Sequence, residues 1–184
     1  MAQVIDLEYF RQKLAADQGF RTWLARFQEQ FGPETRLQDL SSSTLLYLAT
    51  PGEENNFVLF DLIMGAEGLG GSVRFRLDDL PPAVKLKILD TALMLLDLLR
   101  FEVMRRLGWV TQWPPAANPL IGLVRQLWRQ AGSLALALPA LSEAHPQYEK
   151  YRRLAPRDQG TFLRRLIPQA VEMFREQSAA TPQG

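Results

Sequence analysis

The stretch "MGAEGLGGS", Met64 to Ser72, sets four glycines into nine residues directly after an apolar run. Gly65, Gly68, Gly70, Gly71 and Ser72 fall in and around a near-match to the pattern G-x-x-x-x-G-K-[ST], whose backbone N–H groups cradle phosphate, but Gly71 stands where the lysine belongs. A phosphate loop also needs a strand before it and a helix N-terminus behind it. The segment that follows, "SVRFRL", alternates Val73, Phe75 and Leu77 with Ser72, Arg74 and Arg76, which is a half-buried strand pattern. These residues therefore predict a turn that needs positive backbone dihedrals or close packing, with small-ligand binding as the alternative. "GGSVR" similarly falls short of a nucleophile elbow, with Arg74 in place of the last glycine. The single histidine, His145, is the one available base, and beside Pro146 it reads as an exposed or capping residue.

Carboxylates offer a second chemistry. Asp90 and Asp97 lie seven residues apart on the most apolar stretch, so both point to nearly the same side of a helix. Buried carboxylates are costly unless paired or metal-bound. Lys87 and Arg100 are at ion-pairing spacing, so structural pairs are expected, and the alternative is a magnesium site completed by Asp61 or Glu67. Di-iron chemistry lacks its Glu-x-x-His motifs, and Pro81 and Pro82 follow Asp78 and Asp79 where a pyrophosphate–metal motif needs a further acid. With no cysteine in the chain, disulfides, thiolate metal sites and cysteine nucleophiles are excluded. We assign no catalytic residue, metal or cofactor from the sequence.

The third signal is charge. Residues 1–99 carry nine basic and fourteen acidic side chains, net −5, whereas residues 100–184 carry twelve basic and six acidic, net +6. Eleven of those twelve are arginine, and pairs recur in "MRRL", "YRRL" and "LRRL". Glu102 and Glu149 stand three and four residues before the first two pairs and account for them. Arg164 and Arg165 have no such acid upstream. Arg152, Arg153, Arg164 and Arg165, with Tyr148 and Tyr151, are thus the candidate surface for a protein partner or self-association, since arginine and aromatics are enriched at interface centres. Nucleic-acid binding through the same arginines is the lesser alternative, because the whole chain is only +1. The expected function is that of a non-enzymatic interaction or adaptor protein, with a small-ligand or metal-dependent enzyme centred on the 65–72 glycine loop and the Asp90/Asp97 helix as the alternative.

The elements that must position these residues are mainly helical. Nearly half of the 184 residues are hydrophobic and 22% are charged, which is ordinary globular composition. Phe20, Trp23, Leu24, Phe27 and Phe31 predict a core-facing helix ended by Gly32 and Pro33, and Leu7, Phe10 and Leu14 repeat with the same period before it from an Asp6 cap. "SSSTLLYLAT" offers a serine-capped helix, and "TPGEENN" reads as a loop. "FVLFDLIM", 57–64, fits a buried strand or a buried helix, so a small β-hairpin over 57–77 is possible.

Asp78 and Asp79 as caps, then Pro81 and Pro82, predict the start of a long central helix that stops at Gly108. "TQWPPAANP", 111–119, is the clearest linker and a candidate subdomain boundary. Helices follow from Leu120, from Pro146 and from Pro156, the last with a Leu163, Leu166, Ala170, Phe174 stripe that Pro168 would kink or restart. Residues 178–184 read as a flexible tail. The expectation is a single helical domain of six or seven helices around the 81–107 helix. Charges interrupt its apolar tract and the N-terminus lacks a signal-peptide pattern, so a cytoplasmic location without a membrane span is expected.

Overall fold

The computed structural model describes residues 7–70, 78–132 and 137–180. Eight α-helices are present among them: α1 (Leu7–Gly19), α2 (Arg21–Phe27), α3 (Ser42–Ala49), α4 (Glu53–Ala66), α5 (Pro82–Arg106), α6 (Leu120–Gln130), α7 (Tyr148–Arg152) and α8 (Pro156–Ala180). A two-stranded antiparallel sheet pairs β1 (Val110–Thr111) with β2 (Ala140–Leu141), Val110 opposite Leu141. The fold is mainly α, as expected, and α5 is its centre. It packs against α3, α4, α6 and α8, burying Leu95, Leu98, Leu99, Phe101 and Val103.

The expected hairpin over 57–77 is corrected in its first half, since residues 57–66 belong to α4. The apolar run looked short because the helix begins earlier, inside "GEENN". Glu53 and Glu54 occupy its first turn, where carboxylates favour the positive end of the helix dipole. The alternating residues 71–77 lie outside the described segments.

Helix α1 does not bury its periodic stripe. Leu7, Phe10 and Leu14 keep helical period but face outward, and α1 buries Ala15, Ala16 and Gly19 instead. The reason is closeness of approach. A Cβ on Gly65 of α4 would stand 2.4 Å from the Gln18 carbonyl oxygen and 2.7 Å from the Gly19 Cα, so α1 and α4 touch backbone to backbone. A face of small residues permits that contact and a leucine face does not.

The aromatic stripe is real, but its helix is shorter than predicted. α2 ends at Phe27, where Gln28 takes a left-handed conformation at φ 55°, and Leu24 is exposed. Phe31 folds back to stack on Phe20 at 5.2 Å and meets the Trp23 ring edge-on at 5.5 Å. The indole of Trp23 donates to the Val58 carbonyl at 3.0 Å, tying α2 to α4.

Helix ends follow their chemistry in most places. Ser41 caps α3, its hydroxyl accepting the Thr44 N–H at 3.1 Å. Gly108, at φ 72°, closes α5, with the Trp109 N–H on the Met104 carbonyl and the Gly108 N–H on that of Arg105, the paired bonds of a Schellman cap. The start of α5 differs. Pro81 occupies the cap position with no side-chain hydrogen bond, so Asp78 and Asp79 do not cap it.

The 111–119 segment is packed rather than a free linker. Trp113 and Ala116 are buried, the Trp113 ring meets Phe101 of α5 at 5.4 Å, and the Leu120 N–H bonds the Thr35 carbonyl at 2.7 Å. Helix α8 buries Leu163, Leu166, Ala170 and Phe174, runs through Pro168 and continues to Ala180, so residues 178–180 are helical. No helix among the described residues is long and apolar enough to cross a membrane.

Candidate functional site

The glycine stretch resolves into helix packing and a helix cap. Gly65 is the close-contact residue just described. Gly68, at φ 68°, is the left-handed residue after α4, with the Leu69 N–H on the Met64 carbonyl and the Gly68 N–H on that of Gly65. Gly70 also has positive φ, at 69°. A helix, not a strand, leads into the loop, so the strand–loop–helix order of a phosphate cradle is not formed on its upstream side. Gly71 and Ser72 lie outside the described residues.

The carboxylates separate. Asp90 is exposed, and its expected partner Lys87 sits over the Trp128 ring, 4.5 Å from the centroid. Asp61 accepts the Thr22 hydroxyl at 3.1 Å. Burial raises the pKa of Glu67, and Arg125, Arg129 and Lys87 pull it back, a positive field unsuited to a cation. Among the described residues no three potential metal ligands cluster. His145 is buried rather than exposed: its ring meets Trp109 at 4.8 Å and its Nδ1 accepts the Gln147 N–H at 3.1 Å. Burial lowers its pKa.

Asp97 has a partner the sequence spacing does not name. Arg164 of α8 donates its Nε to the Asp97 carboxylate at 2.8 Å, across α5 and α8. Arg100, the expected partner, turns elsewhere and donates its Nε to the Ala49 carbonyl at 3.2 Å, at the C-terminal end of α3. Cations are favourable there, because the last carbonyls of a helix lack intrahelical donors. Arg100 is half-buried, burial lowers its pKa and Asp97 works against that shift. No carboxylate among the described residues comes within salt-bridge distance of it.

These arginines converge on a pocket of about 330 Å³. Arg100 and Arg164 line it with Arg175, and Ile167, Pro168 and Val171 form its apolar wall. Residues 164, 167, 168, 171 and 175 make one stripe of α8, with an arginine at each end. Glu172, also in the lining, accepts a hydrogen bond from Arg175. Each guanidinium carries five N–H donors. The bonds to Asp97, Ala49 and Glu172 use a minority of them.

The other expected site residues are distributed differently. Tyr151 is buried against Phe162, with ring centroids 6.0 Å apart, and Tyr148 is half-buried beside it. Arg152 and Arg153 are exposed at the end of α7, where Arg152 pairs with Glu149 at 2.7 Å. Arg165 is exposed on α8 and does not line the pocket. Of the four arginines singled out by sequence, Arg164 alone lines it. Arg100 and Arg175 were missed as site residues. The signal that locates them is the spacing of the α8 stripe together with an arginine on α5 that the Asp97 pair leaves over.

No protein-family model matches this chain, and neither any curated protein nor any solved structure does.

Proposed function

We propose that this is a non-enzymatic interaction protein whose pocket between α3, α5 and α8 takes an acidic, partly apolar segment of a protein partner. The observation that carries the reading is Arg100, a half-buried cation held by one helix carbonyl at the edge of a pocket that two further arginines line. Its desolvation has already been incurred in folding, so an incoming carboxylate gains a charge-assisted bond without stripping water from a fully solvated partner. The Ile167, Pro168 and Val171 wall accepts an aliphatic side chain next to that carboxylate. The exposed Arg152, Arg153 and Arg165 add positive charge elsewhere on the C-terminal half, which favours approach of an acidic chain.

The test is fluorescence anisotropy with a fluorescein-labelled peptide alternating glutamate and leucine, against one alternating glutamine and leucine. Selective binding of the acidic peptide that is lost in Arg100→Met and Arg175→Glu but kept in Arg152→Glu/Arg153→Glu supports the pocket. Loss confined to the α7 double variant assigns the interaction to α7 and rejects the pocket. Equal binding of both peptides rejects charge recognition.

A further inference from the structure

A second pocket, of about 390 Å³, lies between α5, α6 and the segment that carries Trp113. That size is within the range of about 300–1,000 Å³ usual for small-molecule sites. Its wall is apolar: Met94 and Leu98 from α5, Leu123 and Leu127 from α6, Pro114 and Leu138. Its polar lining is made of carboxamides, Gln112, Asn118, Gln126 and Gln130, and among the described residues no aspartate, glutamate, lysine or arginine lines it. In this respect it is the opposite of the arginine pocket.

Two features mark the chain segment that carries this wall. The indole N–H of Trp113 is buried without an acceptor, a condition native structures rarely tolerate. The preceding residue, Gln112, holds φ at 54°, a left-handed conformation uncommon for a residue with a Cβ and concentrated at functional sites when the surroundings enforce it. Here the enforcement is visible: β1 fixes the chain up to Thr111, and Trp113 is locked against Phe101.

We infer that this pocket binds an uncharged, mainly apolar small molecule bearing a carboxamide, which exchanges hydrogen bonds with the carboxamide rim. A charged headgroup is disfavoured because no charged side chain among the described residues lines the wall, so desolvating an ion there goes uncompensated. An aliphatic amide therefore outcompetes the carboxylate of the same chain length.

The experiment uses the neutral fluorophore N-phenyl-1-naphthylamine with the full chain, displaced by decanamide or by decanoate. Saturable one-to-one binding is expected, with decanamide displacing the probe at a concentration about tenfold lower than decanoate. Gln126→Trp, a bulky change on the exposed rim of α6, should abolish probe binding while circular dichroism and Tm stay at wild-type values. Non-saturable binding, equal displacement by the two decyl ligands, or full binding by folded Gln126→Trp each overturns the inference. If Gln126→Trp is misfolded, Asn118→Trp, another exposed lining residue, replaces it, and the same outcomes decide.

Discussion

Asp97 of α5 and Arg164 of α8 meet at 2.8 Å, and this pair gives a partner to one of the two arginines that lack an acid upstream in the chain. Arg100 bonds the Ala49 carbonyl instead of Asp97, whose charge still acts on it, and so stands at the edge of the arginine pocket. A double-mutant cycle with Asp97→Asn and Arg164→Gln should give a coupling of about 1 kcal/mol, since both groups are partly exposed. Raising the salt concentration should shrink that coupling. A coupling indistinguishable from zero at low salt would mean the pair does not hold α5 to α8.

The same acid–arginine–arginine spacing occurs twice with opposite surroundings. Glu102 is fully buried and accepts Arg105 through two bonds, at 2.7 and 2.8 Å, and Arg106 at 2.9 Å, while Arg106 also reaches the Gln38 and Leu40 carbonyls. The bond to Glu102 raises the Arg105 pKa. Glu149 is 63% exposed with its two arginines. Glu102→Ala should cost about 1–3 kcal/mol in urea unfolding, because it removes three charge-assisted bonds made by a fully buried carboxylate, whereas Glu149→Ala should cost about 0.5 kcal/mol or less.

Within the glycine stretch, two alanine substitutions should differ by mechanism. At Gly65 the new Cβ meets Gln18 backbone that has no slack, so Gly65→Ala should destabilise by about 3 kcal/mol or more. At Gly68 the space is open and only the positive φ resists, giving about 1–2 kcal/mol for Gly68→Ala. Thermal unfolding of the two variants measures the order directly.

His145 should make stability fall on mild acidification. Its folded pKa lies below the ordinary value of about 6.5, so above that value both folded and unfolded chains are neutral there and nothing is lost. As pH falls through the unfolded value, the unfolded chain binds the proton first and stability declines until the folded pKa is passed. Protonation also removes the Nδ1 acceptor from the Gln147 N–H. The raised pKa of Glu67 acts in the opposite direction, but it is common to wild type and to His145→Gln. Between pH 7.5 and 5.5, wild type should therefore lose more Tm than His145→Gln does.

The helical class, the central α5, the serine cap of α3 and the Gly108 stop were legible because each is written in local chemistry: period, cap and left-handed residue. The outward stripe of α1 was not, since Leu7, Phe10 and Leu14 carry the stronger periodicity and the burying face is Ala15, Ala16 and Gly19. Nothing in α1 itself says that Gly65 will bring a second backbone so near. The start of α4 was masked by polar residues that suit a loop and a helix N-terminus equally. Of the candidate site, Arg164 was legible as an unexplained charge. Its link to Asp97 and the convergence of Arg100 and Arg175 were not, because α3, α5 and α8 meet only in the folded chain.

The central claim, that the arginine pocket recognises an acidic segment, is tested most directly by anisotropy titration of the glutamate–leucine peptide against wild type and Arg100→Met. The account predicts saturable binding that weakens about tenfold or more in the variant and declines steeply as salt rises. Wild-type affinity in a folded Arg100→Met protein, or no preference over the glutamine–leucine peptide, would contradict it.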